Sequence, residues 1–120
     1  MDYYLTTHFR SKELSCKCGC DQEKMDYSFM EMLENLRLNL DRPVFVASGF
    51  RCPEHNKAVG GSRNSYHLKG MAADIVCSTA KERHEVVGAA LRMGFSGLGI
   101  DKQFIHVDNR KSLPKKIWIY

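Results

Sequence analysis

The chain has 120 residues, 43% of them hydrophobic, which suits one domain with one core and leaves no room for a separate targeting module. Its net charge of +4 is modest, and Lys and Arg are spread along the chain without an interleaved aromatic stripe, so a solvated surface is favoured over a nucleic-acid face. The polar start, from Asp2 to His8, has neither the basic head nor the apolar run of a signal peptide, and no stretch nears the roughly 20 apolar residues of a membrane span. Synthesis in the cytoplasm without membrane insertion is expected.

Residues 1–24 read as an irregular arm with a turn at Gly19, packing Tyr4, Phe9 and Leu14 onto the core. Three of the five cysteines alternate in it, at Cys16, Cys18 and Cys20. An odd number does not complete a disulfide framework. Reduced thiols are the favoured reading, beside an adventitious disulfide or a second, structural metal with Cys52 or Cys77 as a further ligand, although the spacing is not a standard CxxC pair. A helix over about 27–40 follows, with Ser28 and Glu31 as a capping box and Phe29, Met32, Leu33, Leu36 and Leu40 along one face.

After Pro43, residues 44–48 alternate as a strand, and Gly49 allows a sharp exit toward Arg51. Residues 53–59 form a short helix with Pro53 in its first turn, broken at Gly60-Gly61. The stretch 72–77 reads as a strand with Ala72, Asp74 and Val76 on one face and Ala73, Ile75 and Cys77 on the other. Thr79 and Glu82 cap a second clear helix that stops at Gly94, with Val86, Val87, Ala90 and Leu91 buried and His84 exposed. Residues 98–100 and 103–108 then make a tight hairpin around Asp101-Lys102, and 117–120 close the chain, with Trp118 as core or rim packing. These elements sum to a single α+β domain over 1–120, a small antiparallel sheet packed with two main helices.

Within that frame Asp74 is a carboxylate in an apolar strand, a placement that costs several kcal/mol unless a cation or hydrogen bonds compensate it. His67 lies seven residues before it, across a segment of small residues. His106 sits mid-strand on the face that also carries Phe104 and Asp108. Two imidazoles and a carboxylate are the ligand set of a catalytic zinc with a fourth position open to water, and the set also suits non-haem iron.

The context decides between the two metals. The SGFR segment at 48–51, His55-Asn56, the VGG at 59–61, the SxHxxGxAxD segment at 65–74 and the HVD at 106–108 together resemble the M15 family of zinc D,D-carboxypeptidases and L,D- or D,D-endopeptidases of the bacterial cell wall, especially its short phage-type members. The resemblance implies the hedgehog/DD-peptidase fold and one catalytic Zn2+ on His67, Asp74 and His106. It also implies peptidoglycan stem peptides as partners, with no nucleic acid, for a monomeric wall hydrolase released through a holin pore.

Such chemistry needs a donor for the developing oxyanion and a base. Arg51 is the leading donor, as a guanidinium that can reach a carbonyl or a stem-peptide carboxylate. Ser48 and Ser65 are candidates to orient substrate or ligands, with a local turn hydrogen bond an equal reading for each. Many relatives carry a titratable group three residues before the last His, where this chain has Gln103, which alternation turns away from the His106 face. Asp108 is narrowly preferred as the base over a role in holding the His106 tautomer, and Asp101 is next. Two other functions stay open: a non-catalytic zinc module that binds wall peptide or protein, and an Fe(II) oxygenase, for which the chain is too short to form the usual jelly roll. His55 reads as structural, and His8 has no evident partner.

Overall fold

The computed structural model of the chain describes residues 2–111 and 114–120. Its one sheet has the order β1-β2-β4-β3-β5, formed by β1 (Val46–Ser48), β2 (Ala72–Val76), β3 (Gly97–Ile100), β4 (Phe104–Asp108) and β5 (Lys116–Ile119). The first four strands pair antiparallel. The last runs back against the direction of β4 but pairs on the far edge of β3, and so lies parallel to it. The α+β class holds, with a sheet that is mixed at this one edge.

Alternation sorts the sheet into two sides. Ala73, Ile75, Cys77, Leu98, Ile105 and Val107 enter the core on one side. Against them pack the two main helices, α2 (Tyr27–Leu40) and α4 (Ala80–Met93). A four-residue α1 (Ser11–Leu14), a short α3 (Pro53–Ala58) and a 3-10 turn, η1 (Tyr66–Lys69), complete the chain. Among the described residues no helix is long and apolar enough to cross a membrane.

The start of α2 differs from the reading. Its N-cap is Asp26, whose carboxylate accepts from the Phe29 N–H at 2.9 Å, and Ser28 lies exposed inside the first turn. Asp caps as well as Ser, so the earlier residue took the position. In α4 the Thr79–Glu82 capping box forms as read, and Gly94 ends the helix in the left-handed region at φ 87. The buried seam of α4 is Val86, Ala89 and Ala90, while Leu91 is 54% exposed. The helix turns its i, i+3, i+4 row inward, and Leu91 falls one position outside it. His84 is exposed, as expected.

The arm is more ordered than its composition suggests. Phe9 and Leu14 are buried in the main core, as read. Tyr4 is 62% exposed, with the Arg10 guanidinium 4.6 Å above its ring. His8 does have a partner: Glu34 on α2 takes its Nδ1 at 2.5 Å and its backbone N–H at 2.9 Å, and also accepts from the Thr6 hydroxyl at 2.6 Å. One carboxylate thus fastens the arm to α2.

That clasp is testable. Burial would raise the Glu34 pKa, but the bonds from Thr6 and His8 hold it below its ordinary value of 4.5. A depressed carboxylate stabilises the fold above its ordinary value and ceases to do so as pH falls through the depressed one. Glu34→Gln is expected to cost about 1 kcal/mol at pH 7 by urea denaturation, with the gap to wild type narrowing in acid. A gap that is independent of pH would remove the ionic part of this account.

Candidate metal centre

One residue from each strand lies in a single row across the sheet: Ser48, Asp74, His106, Gly99 and Trp118 are successive cross-strand partners. The row occupies the face away from the core. Adjacent strands are about 4.8 Å apart, so Asp74 and His106 meet directly, with His106 Nδ1 3.0 Å from Asp74 Oδ1. The third group comes from η1. The Ser65 hydroxyl caps this turn by accepting the His67 N–H at 3.2 Å, and Gly70 ends it at φ 69. A Cβ on Gly70 would collide with the Lys24 carbonyl, so the arm closes over the turn only because that position is glycine. His67 Nε2 then lies 3.2 Å from the same Asp74 oxygen.

The proton inventory shows what the three groups suit. His67 Nδ1 is 2.7 Å from the Gly49 carbonyl oxygen, which can only accept, so the ring's N–H points there and Nε2 offers a lone pair. His106 Nε2 is 2.7 Å from Asp108 Oδ2, so its N–H points away in turn and Nδ1 offers a lone pair. Two imidazole lone pairs and a carboxylate oxygen therefore converge, all within 4.8 Å of one another and all buried. Such a set repels itself unless a cation sits among it, and its N, N, O composition fits zinc.

The surroundings reinforce this arrangement. Burial alone would raise the Asp74 pKa, but the polar contacts with the His106 and His67 rings outweigh it and hold the carboxyl far below the usual range. Burial pushes His106 down, while the Asp108 and Asp74 carboxylates on either side push it up by more, a preference for the imidazolium that a cation among the three groups would reverse. Arg51 holds the far oxygen of Asp74, with Nη2 3.3 Å from Oδ2, while Nε donates to the Ser48 hydroxyl at 3.1 Å and Nη1 to Asn56 Oδ1 at 3.3 Å. Of the two roles weighed for Ser48 and Ser65, the Ser65 hydroxyl makes the local turn bond, whereas that of Ser48 accepts from the Arg51 guanidinium. Ser65 also lines the cleft described below.

Asp108 is fully buried beneath the row. It faces His106 and is gripped by Arg110, whose Nε and Nη2 donate at 2.9 and 2.7 Å. Burial would raise its pKa, but His106 and Arg110 bring it down to about 2. A carboxylate shut behind the imidazole ring fits the tautomer-holding role better than that of base, against the narrow preference drawn from the sequence. Asp101 accepts from the Gln103 N–H at 2.9 Å in the hairpin turn. Neither Asp101 nor Gln103 lines the cleft over the centre.

That cleft has a volume of about 750 Å³ and opens above His67, Asp74 and His106. Its walls include Tyr66, Lys69, Arg110, Trp118 and Tyr120, none of which the sequence reading placed in the site. The Arg110 guanidinium stacks 4.9 Å from both the Tyr66 and the Trp118 ring. One signal pointed to Arg110, which continues the His106-Asp108 alternation, and another to space over the site, since Gly97 and Gly99 alternate on β3 opposite Asp108 and His106. Cβ atoms on those glycines would strike the Asp108 carboxylate and the Trp118 ring respectively. Trp118 is therefore a wall of the site, 5.2 Å from the His106 ring, as well as packing.

A buried metal-ligand set at the floor of an open cleft is the layout of a metal-dependent enzyme site. The family described as Peptidase M15 matches residues 7–108, and the chain belongs to that family. Membership implies a zinc-dependent metallopeptidase, and the single five-stranded sheet is not the double-sheeted jelly roll of the iron alternative. Among curated proteins the chain matches none.

The glycine pair yields a graded prediction. Gly97→Ala presses on a carboxylate clamped from two sides and is expected to destabilise by about 1–3 kcal/mol. At Gly99 the added Cβ would stand 2.7 Å from Trp118 Nε1, and a ring on an edge strand can swing aside. Gly99→Ala should cost less and mainly shift the emission of Trp118, the one tryptophan in the sequence. Equal costs, or an unmoved emission spectrum, would contradict the packing described.

Proposed function

We propose that this chain is a zinc peptidase that hydrolyses amide bonds in peptidoglycan stem peptides or crossbridges, as a D,D- or L,D-peptidase. The observation that carries the reading is the convergence of three lone pairs on the floor of a cleft whose walls are cationic. Arg51, Lys69 and Arg110 line it, and Asp74, a ligand, is the one acidic side chain lining it among the described residues. Such walls attract a peptide rich in carboxylates, as wall stem peptides are. The likeness to short phage-type members supports a phage or prophage lysis setting, with a monomer reaching the wall through a holin pore.

His67, Asp74 and His106 hold the metal in this reading. Zinc bound there supplies polarisation of the scissile carbonyl and a lowered pKa for water. The chain's own groups do the positioning. The Gly49 carbonyl and Asp108 each set one imidazole's tautomer, and Arg110 keeps Asp108 ionised. Arg51 turns the Asp74 carboxylate and keeps N–H groups on both terminal nitrogens for a substrate carbonyl or carboxylate. Tyr120, largely exposed on the cleft wall, offers a phenol hydroxyl that can donate there. Ser65 holds η1, and Ser48 steadies Arg51.

A second reading, a zinc module of the same fold that binds wall peptide without cutting it, draws on one observation. Among the described residues, no acidic side chain other than that of the ligand Asp74 lines the cleft to serve as base. Incubating purified sacculi with zinc-loaded protein separates the two: new amino termini mark a peptidase, and their absence a binder. Mass spectrometry of the released muropeptides identifies the bond.

His67→Ala is expected to abolish both zinc binding at this centre and release of amino termini. Asp108→Asn should weaken zinc affinity about 10- to 100-fold, with activity recovered in excess zinc. Activity lost at full zinc occupancy would instead make Asp108 the base.

A further inference from the structure

A second cluster of metal-ligating side chains lies outside the cleft, on the arm. Cys16, Cys18 and Cys20 share one loop, and Cys52 reaches them from the segment between β1 and α3. Their four Sγ atoms all lie within 4.8 Å of one another. Cys16 and Cys18 are 3.5 Å apart, and Cys18 and Cys52 are 3.7 Å apart. A disulfide would require about 2.05 Å, and all five cysteines are free. Four sulfurs held tetrahedrally at a zinc–sulfur distance of about 2.3 Å would stand about 3.8 Å from one another. The observed spacing is that of sulfurs sharing an ion.

The backbone is built around this cluster. Alternate cysteines on an extended strand would spread along one side, but Gly19 at φ 92 and Asp21 at φ 59 turn the chain back on itself. The Cys16 N–H closes the loop onto the Gln22 carbonyl at 2.8 Å. Cys16 and Cys52 are buried with Phe50, whereas Cys18 and Cys20 are exposed. Apolar burial explains the first pair and not the second, because exposed thiols gain nothing from turning toward two others. Two backbone donors also face sulfur, the Cys52 N–H onto Cys16 Sγ at 3.3 Å and the His55 N–H onto Cys52 Sγ at 3.4 Å. Such donors favour thiolates.

We propose that Cys16, Cys18, Cys20 and Cys52 bind a structural zinc ion, separate from the centre at His67, Asp74 and His106. Four protein ligands leave no open position, so the ion holds structure and does no chemistry. It staples the arm to the 49–52 segment, beside the bond from the Phe50 N–H to the Leu14 carbonyl at 2.8 Å. The same segment presents the Gly49 carbonyl to His67 and carries Arg51. Cys77, fully buried in the main core, has no part in it. The inference does not depend on the peptidase reading.

The test uses the full chain, purified under reducing conditions with zinc, with metal counted by mass spectrometry and thiols by a colorimetric reagent. Wild type is expected to hold two zinc ions, and His67→Ala/His106→Ala one, with four thiols becoming reactive when a chelator releases the ion and Cys77 staying buried. Cobalt in that double variant should give a thiolate-to-metal charge-transfer band that Cys18→Ser/Cys20→Ser lacks. If the cysteine variant fails to fold, the histidine variant decides alone. A histidine variant without zinc and with reactive thiols, or one with a Cys18–Cys52 disulfide, overturns the proposal.

Discussion

Asp74 stands opposite His106 on adjoining antiparallel strands, and the site depends on that register. Because side chains alternate, a slip of one residue between β2 and β4 would send one of the two to the core side and bring an Ile or a Val to the cleft. Register of this kind is fixed by the other face. Ala73, Ile75, Ile105 and Val107 must meet the helices, so the apolar half of each strand places the polar half. The meeting of Asp74 and His106 is in this sense a by-product of core packing.

The sheet also explains how a buried acid behind the centre is tolerated. An uncompensated carboxylate in Asp108's position would cost several kcal/mol, but Arg110, on the same face two residues later, grips it while stacking between Tyr66 and Trp118. Gly97 and Gly99 leave the space that these groups fill. Polar groups in the floor and aromatic groups in the wall form one connected support for His106.

Much of this was legible in the chain. The periodic helices, the Thr79–Glu82 cap, the hairpin and the alternation in β2 follow from local rules, and local rules suffice where a residue's neighbours in sequence decide its state. The three converging donors were legible through motif context. What escaped depends on partners far away in the sequence. Nothing near Trp118 indicates that β5 crosses to the far side of β3, so its place in the wall could not be read. Nothing in sequence singles out Glu34, because its partners lie in an arm without periodicity. Asp108 was ambiguous for a different reason: strand phase gives a side chain's face but not its depth, and depth separates a base from a support.

The order in which the donors enter the chain has a kinetic corollary. His67 and Asp74 are close in sequence, but His106 joins them only when β4 docks against β2, after the whole of α4 has been laid down. Non-local pairings of this type form late in folding. An ion captured by all three donors would therefore do little to hasten the chain's arrival at the native state, and would act as a latch that slows its departure.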